Sequence, residues 1–63
     1  MNKIKKLRKE KLLTLRGVSE KAGVAASYIS KLENDLASEN NPSKEIMEKI
    51  ALALESTVPK VFY

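Results

Sequence analysis

The sequence predicts an all-α fold, and three observations carry that reading. Strand signals are nearly absent: β-branched residues are scattered, no stretch alternates convincingly, and no Asn-Gly or Asp-Gly turn appears. Apolar residues recur instead at helical spacing, as in Ile4 and Leu7, Ile29 and Leu32, and Ile50, Ala53 and Leu54. Residues suited to starting or stopping a helix, namely Thr14, Gly23, Pro42, Ser43, Thr57 and Pro59, stand at the edges of those patterns.

The elements follow in order. A first helix is expected from about Asn2 to Lys11, with Ile4 and Leu7 on one stripe and Lys3, Lys5, Lys6 and Lys9 largely outside it. Thr14 offers an N-cap for a second helix that ends near Ala22, before Gly23, which takes the left-handed conformation that stops helices. A third helix, about Ala26 to Glu33, follows after three residues, the spacing of a helix-turn-helix. The stretch "NDLASENNPS" reads as a loop. Ser43 then caps a fourth helix, and Pro42 biases the residue before it away from helix. Ile46 or Met47, Ile50, Ala53 and Leu54 form its buried stripe. A last short helix has Thr57 as N-cap and Pro59 in its first turn, where the missing N–H is harmless, and Val58, Val61 and Phe62 close the core.

At 63 residues the chain is expected to be one domain, 1–63, with a small core. It has neither Cys nor His, which removes disulfides, thiolate and imidazole metal ligands and the commonest general base. No nucleophile with a base, metal cluster or cofactor motif is visible, so an enzyme is not expected and no cofactor is implied. Hydrophobic content of 43% and charged content of 32% suit a globular domain, and no apolar run approaches a membrane span. The basic segment Met1 to Lys11 lacks the apolar run and cleavage site of a signal peptide, so a cytoplasmic location is expected.

The formal charge of +4 is unevenly placed. Residues 1–33 carry nine Lys or Arg against three Glu, a net +6, whereas residues 34–63 carry three Lys against five acids, a net −2. One polyanion-facing side explains this, because basic groups displace condensed counterions from phosphates; a solvated lysine-rich helix that happens to come first is the alternative. Arg8 and Glu33 stand out against this background, since each falls within an apolar stripe, four residues after Ile4 and Ile29 respectively. Opposite charges on two core-facing stripes predict a partly buried ion pair joining the first and third helices.

The segments "IKKLRKEK", "TLRGVSEKAGVAASYISKLE", "NPSKEIMEKIALAL" and "TVPKVF" together resemble the helix-turn-helix domain of the phage Cro and CI repressors and their bacterial relatives, the XRE family. The similarity spans about residues 3 to 62 and is nearest to the DNA-binding domains of Gram-positive developmental repressors. It implies a compact five-helix, lambda-repressor-like domain in which the third helix of the chain enters the major groove. Ser19 falls at the small residue between the two helices of the motif and Gly23 at its turn, while Val18, Val24, Ile29 and Leu32 match buried positions.

The resemblance also locates candidate contacts. Ala26, Ser27, Ser30 and Lys31 fall where bases are read: the serines donate to or accept from several base edges, Ala26 meets a thymine methyl, and Lys31 bonds guanine O6 or N7. Other readings stand beside these. Ser27 caps the first turn, Tyr28 lies against a phosphate or packs on the second helix, and Lys31 is a solvated charge. Phosphate contacts are expected from Thr14, Leu15 and Arg16 at the start of the second helix, from Asn34 on the other flank, and from Lys6 or Lys9 where the first helix crosses the backbone. The family usually has a glutamine where this chain has Leu15, and Arg16 substitutes by charge.

Three further positions depart from the pattern: Leu12 replaces a helix-ending glycine, Gly17 sits inside the second helix, and Ala25 replaces a capping Ser or Thr. A modestly stable domain is the expected result. The family commonly binds near-palindromic operators as a homodimer. Val58, Val61, Phe62 and Tyr63 either complete the core or join a dimer surface, and the chain is either a minimal repressor or the DNA-binding part of a longer one. The expected function is a sequence-specific transcriptional regulator, more a repressor than an activator, of bacterial or phage origin. The competing class is a protein-interaction module, antitoxin-like, built on the same helices; an acidic third helix would have favoured it, and this one is neutral to basic.

Overall fold

A computed structural model of the chain describes residues 2–34 and 42–63. Five helices and no strand occur among the described residues: α1 (Ile4–Glu10), α2 (Leu15–Ala22), α3 (Ala26–Glu33), α4 (Lys44–Ala53) and α5 (Val58–Phe62). The central part of the loop read from the sequence, residues 35–41, lies outside them.

Local chemistry accounts for most boundaries. The Thr14 hydroxyl accepts from the Gly17 N–H at 2.9 Å, Ser43 from Ile46 at 3.2 Å and Thr57 from Lys60 at 3.4 Å, so three helices begin at side-chain caps. Gly23, at φ 69°, ends α2 in the left-handed conformation. The turn to α3 is closed by the Ser19 hydroxyl, which donates to the Val24 carbonyl. Ala25 provides no side-chain cap, and α3 starts without one.

Helix α1 is shorter than the expected Asn2 to Lys11, for a reason at each end. Asn2 precedes the first turn and its side-chain oxygen accepts from the Ile4 N–H at 3.1 Å, which leaves it outside the helix. At the other end Leu12 takes φ 57°, while the N–H groups of Leu12 and Leu13 return to the carbonyls of Lys9 and Arg8 at 3.0 and 2.9 Å. That is a Schellman closure with leucine at the position glycine normally fills. Helix α4 ends the same way with Glu55 at φ 53°, and the Ser56 N–H reaches the Ala51 carbonyl at 2.8 Å.

Every helix contributes to one core. Ile4, Val18, Ile29, Leu32, Ile50, Leu54 and Val61 are essentially inaccessible, with Ala22, Val24, Ala51 and Ala53 filling between them. Removing each large aliphatic side chain from water stabilises by about 1.5–3 kcal/mol. Ala51 belongs to the buried face of α4 although it lies outside the stripe read from the sequence, and Ile46 is packed against the core beside it. Val58 and Phe62 are partly buried against the core, whereas Tyr63 is 82% exposed and does not complete it. Helix α2 packs on α3 and α4, α4 on α5, and α1 on both α3 and α5.

Arg8 and Glu33 lock α1 to α3. Arg8 Nε donates to Glu33 Oε2 at 2.7 Å and Nη2 to Oε1 at 3.2 Å, with the side chains only 13% and 4% exposed. The remaining nitrogen, Nη1, donates to the Leu13 carbonyl at 2.9 Å, so the same guanidinium also holds the end of α1. A planar fork with all three nitrogens bonded is a geometry lysine does not reproduce.

Candidate nucleic-acid interface

The core leaves the outer side of α3 unused. Ile29 and Leu32 face inward, and the opposite side carries Ser27 and Lys31, both exposed, and Ser30, partly exposed. Ser27, Ser30 and Lys31 line one open depression together with Tyr28 and Asn34. Hydroxyls, an ammonium and an amide on one shallow face supply donors and acceptors for base edges in a groove. Ala26 is partly buried at the start of the helix and does not line the depression.

Tyr28 has a mixed placement. Its ring packs against the core cluster while the residue still borders the depression, so part of it is structural. The Asn34 amide donates to the Ser30 carbonyl at 2.9 Å, which fixes the side chain against the end of α3 and leaves its second N–H for an outside acceptor.

The start of α2 offers a different chemistry. The Gly17 N–H is taken by Thr14, and the N–H groups ahead of it, on Leu15 and Arg16, have no acceptor within the helix. With the helix dipole behind them they suit an anionic oxygen. The Leu15 side chain is turned to the core instead, so only its backbone faces outward chemistry. Arg16 is 88% exposed and stands 3.6 Å from Glu20, an exposed pair worth little by itself. Lys6 and Lys9 are exposed on α1. The depression on α3 therefore gathers three of the four base-contact candidates and two of the phosphate candidates, while Thr14, Leu15, Arg16, Lys6 and Lys9 stand on other elements.

Sequence reasoning missed Asn2. Its amide nitrogen donates to the Leu32 carbonyl at 2.9 Å while its oxygen accepts from the Ile4 N–H at the start of α1, so one side chain joins α1 to the end of α3. An Asn two residues ahead of the first buried aliphatic is a capping signal that pointed to half of this role. The half directed at Leu32 depends on how the helices pack.

Among the described residues no helix is long and apolar enough to cross a membrane. Comparison with known proteins agrees with the helical arrangement. A family described as helix-turn-helix matches residues 4–61. The HTH-type transcriptional regulator SinR of Bacillus subtilis (strain 168) is 45% identical over 56 residues, which are 89% of this chain and 49% of SinR. The chain thus spans about half the length of the curated relatives it matches. Two solved structures superpose closely. The crystal structure of SinR, the master regulator for biofilm formation, in complex with DNA has a TM-score of 0.80 at 44% identity, covering 90% of this chain and 87% of that one. The solution structure of the N-terminal DNA-binding domain of SinR from Bacillus subtilis has a TM-score of 0.81 at 41% identity, covering 97% and 86%. With nearly its whole length matched and the turn between α2 and α3 in place, the chain belongs to the helix-turn-helix family.

Proposed function

We propose that this protein is a sequence-specific DNA-binding transcriptional regulator, a repressor, whose α3 enters the major groove. The observation that carries the reading is the outer face of α3, where Ser27, Ser30 and Lys31 converge on one open depression that the core does not use. The similarity to SinR, whose structure in complex with DNA superposes on this chain, supports it. Ser27, Ser30, Lys31 and, through its methyl, Ala26 read base edges; Thr14, Leu15, Arg16, Tyr28, Asn34, Lys6 and Lys9 fix register on the phosphates. Leu15 acts through its N–H alone, because its side chain is packed.

The working species is a homodimer on a near-palindromic operator in the cytoplasm of a bacterial cell. The described residues extend at most 25 Å, short of the roughly 34–36 Å between half-sites one helical turn apart, so each half-site takes its own copy. Selection of duplexes from a random pool tests the reading. The expected result is an enriched site with two inverted halves. A pool that returns unenriched, with no binding at low micromolar protein, would transfer the fold to the protein-interaction class.

A further inference from the structure

We infer that Asn2 is a positioning residue for the recognition helix: its amide fixes the C-terminal end of α3 and thereby the presentation of Lys31. The inference rests on the reading of α3 as the helix that enters the groove. Asn2 Nδ2 donates to the Leu32 carbonyl at 2.9 Å, and Oδ1 of the same amide accepts from the Ile4 N–H at 3.1 Å. The Lys3 backbone N–H, one residue on, reaches the Val61 carbonyl at 2.7 Å. Two consecutive residues therefore connect α1, α3 and α5.

The tie matters because of where the other attachments of α3 lie. Its leading end is held to α2 by the three-residue turn and the Ser19 hydroxyl on the Val24 carbonyl. Its far end is held by the Arg8–Glu33 pair and by Asn2 on Leu32, adjacent residues approached from opposite ends of α1. One tether at that end leaves α3 free to turn about it, whereas a second bond on the neighbouring residue, made from another part of the chain, resists that turn. Lys31 precedes Leu32 and faces outward, so a shift of that end of the helix carries its side chain with it. A groove contact tolerates about 0.5 Å of such motion.

Two substitutions separate positioning from capping. Asn2→Asp keeps an oxygen for the Ile4 N–H but sets its second oxygen against the Leu32 carbonyl; Asn2→Ser keeps a small capping acceptor, adds no charge and is too short to reach Leu32. The readout is the ratio of affinities for the selected duplex and a scrambled one, which cancels the added charge of Asp. Melting followed by circular dichroism is recorded alongside. Both variants should melt cooperatively with a ratio lowered about fivefold or more, the loss concentrated at the base pair that Lys31→Ala also affects. An unchanged ratio in Asn2→Ser overturns the inference, whatever becomes of Asn2→Asp. Absence of any duplex preference in the unsubstituted protein is a separate outcome, which sinks the reading of α3 itself and the inference with it.

Discussion

On the proposed reading Lys31 bonds a base edge, and substitution tells such a residue apart from those that only hold the duplex. Lys31→Ala should weaken binding by about 1–3 kcal/mol at one base pair and leave discrimination elsewhere intact, as measured by titration against singly substituted duplexes. A uniform loss would move Lys31 to the phosphates. Arg8 acts on stability instead. Its guanidinium is spent on Glu33 and the Leu13 carbonyl, so Arg8→Met strands a nearly inaccessible carboxylate and should cost on the order of 3–5 kcal/mol. The double substitution Arg8→Met with Glu33→Leu removes the stranded charge and should recover most of that loss in thermal melts. Residues 8 and 33 were readable as a pair because charge sat inside two apolar stripes. Asn2 was not, since nothing local to an asparagine says that a carbonyl thirty residues away will lie beside it.

Among the elements, α2, α3 and the starts of α4 and α5 were legible nearly to the residue, because most of their signals are local. Thr14, Ser43 and Thr57 cap by reaching their own first turns, and Gly23 stops α2 by a conformation it alone adopts without strain. The end of α1 and the end of α4 were less legible because packing overrides preference there. Leu12 and Glu55 are held at positive φ so that the chain reverses in time for Leu13 and Val58 to pack on the core. The Lys11 ammonium and the Glu55 carboxylate, 3.7 Å apart, are too exposed to offset that strain. Since the Leu12 side chain is 92% exposed, Leu12→Gly loses little packing and should stabilise by about 0.5–1 kcal/mol, raising the melting temperature by roughly 2–8 °C. Gly17 corrects a simpler expectation. Glycine inside a helix is normally improved by alanine by about 0.5–1 kcal/mol, yet a Cβ at Gly17 would meet the Thr14 hydroxyl at 3.2 Å. The cap and the glycine go together, and Gly17→Ala should gain less than an open helical site would.

At the scale of the molecule, the positive charge is concentrated in the part of the chain that holds the helix-turn-helix. The first 33 residues hold the net +6 and also supply α1, α2 and α3, whereas residues 42–63, which supply α4 and α5, balance three Lys against three Glu. The fold class followed from periodicity and caps, and the face of α3 followed from the residues its apolar stripe left over. Which bases those residues would meet did not, because that is set by the depth and angle at which such a helix enters a groove. The most direct measurement is a fluorescence titration of a labelled selected duplex across a salt series, run beside a scrambled duplex of equal length. If cationic side chains displace counterions while α3 reads bases, affinity for both duplexes falls roughly a hundred- to a thousandfold between about 50 and 200 mM salt, and the selected duplex stays tighter throughout. Affinity that ignores salt, or a selected duplex bound no better than the scrambled one, would contradict a helix that reads the groove.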